Sequence, residues 1–117
     1  MNVLIVRLGA LGDIIHAVPA AAALREASPD ARIDWLVDGR HRAVVDLVTC
    51  VDRSIALEGR TIAGWAAAVR TLRQVRYDWA VDFQGLLKSA VLARASGAAR
   101  VAGFSIWHLR EKSARPF

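Results

Sequence analysis

Short β-rich runs alternate with longer segments of helical period along the chain, the pattern of parallel strands joined by helical crossovers. Val3-Leu4-Ile5-Val6 is an unbroken apolar run, as expected of a strand covered on both faces. Gly12 or Asp13 then opens a helix to about Ala27, with Ile14, Ile15, Val18, Ala21, Ala22 and Leu24 expected on its buried side and Pro19 expected to bend it or mark its first irregular turn. Arg32 to Val37, Arg53 to Leu57, Asp78 to Phe83 and Arg100 to Phe104 are the further strands. Between them fall three helices. One covers His41 to Val48, one runs from a Thr61 cap with Ile62, Trp65, Val69 and Leu72 on its apolar side, and one covers Leu86 to Ala95 with Gly97 as its terminal cap. Right-handed crossovers make this a doubly wound, Rossmann-like α/β sheet, and ligands in such sheets bind beyond the carboxyl ends of the strands. That rule selects Leu8 to Asp13, Asp38 to Arg42, Glu58 to Arg60, Gln84-Gly85 and the segment after Phe104 as places to look for a site.

With 117 residues the chain is one domain at most, and 55% hydrophobic residues supply a core. No stretch approaches the ~20 uninterrupted apolar residues of a bilayer-spanning helix. The first residues lack a basic region ahead of an apolar segment, so they form a first strand and not an export signal, and the expected address is cytoplasmic. Cys50 is the sole cysteine, and His16, His41 and His108 are too scattered for a zinc site; neither metal nor cofactor is expected. The net charge of +5 is uneven: residues 53–76 and 94–117 carry +4 each, while 1–52 carry −2. Arginine outnumbers lysine fourteen to two, and its planar fork suits phosphate and carboxylate, although a chain rich in both Arg and Ala is equally explained by genomic base composition. With no recognition helix, zinc finger or aromatic stacking signature, nucleic acid is not an expected partner.

Leu8-Gly9-Ala10-Leu11-Gly12-Asp13 lies at the first strand-to-helix junction, where glycines allow positive φ or close approach and a helix N-terminus offers free N–H groups to an anion. Its Gly-x-x-Gly spacing matches neither the dinucleotide fingerprint nor a Walker loop. Asp13 in the first turn is favoured by the helix dipole as a carboxylate; from spacing alone a helix cap is the simpler reading, and a proton acceptor at a crevice is the other. His16 lies one turn further on, either sharing that crevice or simply exposed. Asp82-Phe83-Gln84-Gly85-Leu86-Leu87-Lys88-Ser89-Ala90 gathers an acid, an amide, a glycine and a cation at the fourth junction, a strand-end cap in the simplest reading. The four tryptophans, Trp35, Trp65, Trp79 and Trp107, are assigned to core or rim.

The opening Val3 to His16, followed by Pro19-Ala20 and Leu24-Arg25, resembles the start of the bacterial heptosyltransferases of lipopolysaccharide inner-core synthesis. Asp82 to Ala90 is similar to the segment typical of the heptosyltransferase I group, and Ile33 to Val37 and Gly103 to Glu111 fall in the same order. The resemblance implies the N-terminal, acceptor-binding lobe of a GT-B glycosyltransferase, with the nucleotide-sugar lobe and the last strands of this lobe absent from the chain. It implies transfer of L-glycero-D-manno-heptose from ADP-heptose to a Kdo hydroxyl of Kdo2-lipid A, with inversion and without metal. Asp13 occupies the general-base position. Arg7, His16, Arg60, Lys88 and Arg110 would hold the acidic acceptor, and Gly9, Ala10, Leu11 and Gly12 would face the donor phosphates. Peripheral association with the inner membrane and self-association through an incomplete sheet edge are further expectations, as is inactivity of the isolated chain. A non-catalytic module for anionic saccharide or lipid, and an unrelated nucleotide-binding domain, are the alternatives.

Overall fold

The computed structural model describes residues 1–59, 61–84 and 87–103. Five strands, β1 (Asn2–Val6), β2 (Arg32–Asp38), β3 (Arg53–Leu57), β4 (Trp79–Asp82) and β5 (Arg100–Gly103), form one sheet in the order β3-β2-β1-β4-β5. Every pairing is parallel. The intervening helices are α1 (Leu11–Ala27), α2 (Arg42–Val45), α3 (Ile62–Leu72) and α4 (Leu87–Ala95), and a single 3-10 turn, Gly39–His41, leads into α2. The chain winds outward from β1 to β3, then returns to the other side of β1 for β4 and β5. The switch therefore falls between β1 and β4, where this topology opens a crevice at the carboxyl ends.

Alternation along the central strand sorts the core into two layers. Leu4 and Val6 pack with Leu36, Ile55, Leu72 and Leu92 beneath α3 and α4. Ile5 packs with Ile14, Ile33, Trp35, Val37 and Val45 beneath α1 and α2. Burying each such side chain contributes about 1.5–3 kcal/mol, so residues of opposite parity in β1 hold helices on both faces.

Helix faces depart from expectation in three places. In α1 the buried stripe is Ile14, Ala17 and Ala21; Ile15 is 53% exposed and Ala22 lies on the surface. Only the row through Ile14, Ala17 and Ala21 is buried, and Ile15 and Ala22 lie off that row. Pro19 does not end the helix. Its missing N–H would have served the Ile15 carbonyl, and both residues face solvent, where water can take that role. The second difference is Ile62, which is 89% exposed because it opens α3 before the helix reaches the sheet; Ala68 and Leu72 are the buried contacts, with Trp65 and Val69 half-buried. Third, α2 stops at Val45 and not at Val48, the following residues forming turns. Thr61 caps α3 through its hydroxyl, which accepts from the Gly64 N–H, and Gly97 follows α4 at φ 78°. The expected ends of the last helix and strand, Leu86 and Phe104, lie outside the described residues.

At the amino end of β2, Asp34 is fully buried and accepts from the Tyr77 hydroxyl (2.5 Å), Arg32 Nε (3.2 Å) and Arg53 Nη2 (3.4 Å). Burial, reinforced by this bond to Asp34, pushes the Tyr77 phenol well above its ordinary range. This network is structural and sits at the end of the sheet away from the crevice.

Candidate functional site

Beyond the end of β1, the Arg7 N–H still donates to the Leu36 carbonyl (3.2 Å), and its own carbonyl receives the Trp35 indole N–H (3.1 Å). The backbone of Arg7 is thus anchored in the core while its side chain reaches the crevice. There Arg7 Nη1 donates to the Phe83 carbonyl (2.5 Å) and Nη2 pairs with Asp13 Oδ2 (2.8 Å). Asp13 Oδ2 also accepts from the Ala10 N–H (3.3 Å), so the carboxylate closes the first turn of α1 and forms an ion pair at once. Among the described residues, Oδ1 has no hydrogen-bond donor. The Asp13 side chain remains 52% exposed, against 15% for Arg7.

Arg7, Asp13, His16, Ala17, Ala20 and Phe83 line a cleft of about 240 Å³ at this point. The arrangement offers a carboxylate edge, an imidazole one turn away and a small apolar floor. A ligand with hydroxyl and anionic groups on a compact ring matches those features.

The glycine loop does not rely on positive φ. Neither Gly9 nor Gly12 has positive φ; in the described residues that conformation belongs to Gly59 and Gly97. A Cβ at Gly9 would stand 3.4 Å from His41 Cδ2, an ordinary van der Waals contact. Gly12 meets nothing within 4 Å and, like Leu11, already lies within α1. The Gly9–Ala10 peptide is cis. What fixes the loop is Gln84, whose Oε1 accepts from the Leu8 N–H (3.1 Å) and the Gly9 N–H (3.4 Å). Gln84 is in turn held through its own N–H by Asp82 Oδ1 (2.9 Å), and Asp82 Oδ2 receives the Ser89 hydroxyl (3.1 Å).

Of the acceptor-binding candidates, Arg7 and His16 come together with Asp13. Lys88 lies in the first turn of α4, which begins beyond the carboxyl end of β4. Arg60 and Arg110 lie outside the described residues. Phe83 and Gln84 were visible only as members of a polar cluster; their specific contacts depend on β4 lying beside β1, which local pattern does not encode. A second cleft, about 260 Å³, is lined by Asp38, Arg40, Glu58 and Gly59 at the carboxyl ends of β2 and β3. Arg40 bonds to Asp38 there and holds its carboxyl below the usual range. Among the described residues no group of three or more His, Cys, Asp or Glu could hold a metal ion, and no helix is long and apolar enough to cross a membrane.

Comparison with known proteins adds an independent line. Residues 65–114 match the model of glycosyltransferase family 9 (heptosyltransferase). Lipopolysaccharide heptosyltransferase 1 of Pseudomonas aeruginosa is 35% identical over 127 aligned positions, which take in 100% of this chain and 36% of that protein. Among solved structures, E. coli heptosyltransferase WaaC with ADP superposes with a TM-score of 0.74 at 31% identity, over 88% of this chain and 34% of that one. The same enzyme with ADP-2-deoxy-2-fluoro heptose gives 0.72 at 28%, over 88% and 35%. The chain spans about a third of the length of the curated relatives it matches. In sequence and in fold, it is similar to the heptosyltransferases of glycosyltransferase family 9.

Proposed function

We propose that these residues form the acceptor side of a glycosyltransferase of lipopolysaccharide inner-core synthesis, with Asp13 as its general base. In this reading heptose passes from ADP-heptose to a Kdo hydroxyl of Kdo2-lipid A with inversion, and the nucleotide-sugar lobe is supplied by residues beyond these 117. The observation that carries it is the half-exposed Asp13 carboxylate lining the cleft, with Oδ2 held by two donors and, among the described residues, no hydrogen-bond donor on Oδ1. Chemistry follows from that division. The acceptor hydroxyl donates to Oδ1; as its oxygen bonds to the anomeric carbon and the bond from that carbon to the ADP phosphate breaks, its proton passes to Oδ1. His16 and the partly exposed Arg7 guanidinium face the anionic Kdo groups, and Arg60, Lys88 and Arg110 extend that contact. A cleft of about 240 Å³ is below the roughly 300–1,000 Å³ of a complete ligand pocket, which suits one sugar of a longer acceptor. The donor assignment is supported by the ADP and ADP-2-deoxy-2-fluoro heptose named with the E. coli structures, and the Gly9 to Gly12 turn is proposed to face the donor phosphates.

Titration calorimetry with this chain tests the reading: a Kdo disaccharide binds, and ADP does not. Tight ADP binding without Kdo binding would favour a nucleotide-binding domain instead, and heptosyl turnover by the 117 residues alone would refute the division of labour between lobes. Two further expectations belong to this proposal. Peripheral contact with anionic lipid is supported by the basic blocks at 53–76 and 94–117. Self-association is supported by β5, which among the described residues pairs on one side only; sedimentation velocity checks it, a monomer at high concentration speaking against it.

A further inference from the structure

We infer that Asp82-Phe83-Gln84 is a strap that positions the Asp13 carboxylate, with Gln84 and Arg7 as its two positioning residues. The inference rests on the reading of Asp13 as general base but concerns residues to which that reading gives no such role. Val6, the last residue of β1, is in register with Asp82, the last of β4. The two chains therefore leave the sheet side by side, and the strap bonds across to the continuation of β1. The Phe83 N–H donates to the Val6 carbonyl (3.0 Å), and Gln84 Oε1 takes the Leu8 and Gly9 N–H groups. Those two donors belong to the loop whose next residue, Ala10, gives its own N–H to Asp13 Oδ2.

A second arm reaches the same oxygen. The Phe83 carbonyl accepts one nitrogen of the Arg7 guanidinium, and the other nitrogen pairs with Asp13 Oδ2. Because the guanidinium is planar and rigid, fixing Nη1 on a backbone carbonyl fixes the direction of Nη2. Both arms converge on Oδ2, and among the described residues Oδ1 takes no hydrogen bond. Asp82, only 3% exposed, holds the strap itself through the Gln84 N–H and the Ser89 hydroxyl. An acid followed two residues later by Gln is what this clamp needs: a buried acceptor for the turn, then a side-chain carbonyl long enough to cross to β1.

Gln84→Met keeps the length and removes the acceptor; Gln84→Glu restores an acceptor oxygen; Arg7→Met removes the second arm. The 117-residue chain is used in each case, with three measurements: amide exchange at Leu8 and Gly9, the Asp13 side-chain carboxyl carbon resonance, and affinity for Kdo methyl glycoside. Gln84→Met is expected to speed exchange at both amides by about tenfold or more, to move the Asp13 resonance and to weaken the glycoside about five- to tenfold; Gln84→Glu returns all three towards the parent. Arg7→Met is expected to move the Asp13 resonance while leaving the Leu8 and Gly9 amides protected. An Asp13 resonance unmoved by both Gln84→Met and Arg7→Met would overturn the strap. So would a Gln84→Met effect that Gln84→Glu fails to rescue, since that marks general loosening. If the parent chain does not bind the glycoside, the general-base reading fails, and the amide and carboxyl measurements still decide the strap.

Discussion

Replacing Asp13 by Asn separates its charge from its shape. The amide keeps an oxygen that can accept from Ala10 and Arg7, so the first turn of α1 is preserved, but it cannot take up a proton at neutral pH. The structural cost is small. The ion pair involves a carboxylate that is 52% exposed, and pairs of that kind contribute about 0–1 kcal/mol. Charge at a helix N-terminus adds about 0.3–1 kcal/mol. A loss below about 2 kcal/mol corresponds to no more than about 10 °C in melting temperature for a domain near 100 residues. The chemical cost is far larger, since a positioned base contributes about 10²–10⁴-fold. The assay uses a chimaera that joins these 117 residues to the remaining length of the Pseudomonas aeruginosa relative, with heptose transfer and thermal melting followed on the same samples. Asp13→Asn should retain the melt and the acceptor KM within about threefold and lose at least about 10²-fold in kcat. Turnover within threefold of the parent would reduce Asp13 to a helix cap and refute the argument.

Other residues give sharp contrasts. Tyr77 is the single tyrosine, and burial with its bond to Asp34 raises its phenol; absorbance near 295 nm should show no tyrosinate at pH 10.5 until the chain unfolds. The sign follows from linkage: stability from this group is complete below the unfolded value of about 10 and falls as pH rises above it. Asp52 is depressed chiefly by the Ile33 N–H bond, and by Arg25. Its contribution is present above the unfolded value of about 3.9 and is lost as pH falls through the lower folded value, so denaturant titrations between pH 5 and 2.5 should slope less in Asp52→Asn. Gly64→Ala places a Cβ 2.0 Å from the Glu58 carbonyl oxygen and should destabilise by about 1–3 kcal/mol. Gly12→Ala enters open space inside α1 and should stabilise by up to about 1 kcal/mol in the same melts.

Local pattern made much of this architecture legible. The unbroken apolar run at Val3 to Val6 and the Arg53 to Leu57 strand need only hydrophobicity and β-propensity, and a Thr61 hydroxyl at N-cap spacing marks α3 without tertiary help. Faces were harder to read. Ile15 and Ile62 satisfy a helical period as well as their buried neighbours do, and what exposes them is which row of α1 faces the sheet and where α3 first meets it. The site divided along the same line. Asp13 could be singled out because helix-end electrostatics is local. The partnership of Gln84 with Leu8 and Gly9 spans more than seventy residues and exists only because β4 lies against β1, an adjacency set by the crossover and not by any short segment.

Carbon-detected spectra of the chain, with its aspartate side chains labelled, test the central claim most directly. Adding Kdo methyl glycoside should shift the Asp13 carboxyl resonance in a saturable manner, with His16 following, while Asp34 and Asp52 at the far end of the sheet stay in place. A saturable shift at Asp52 with Asp13 unmoved, or no shift at any aspartate under saturating glycoside, would contradict the assignment of this cleft to the acceptor sugar.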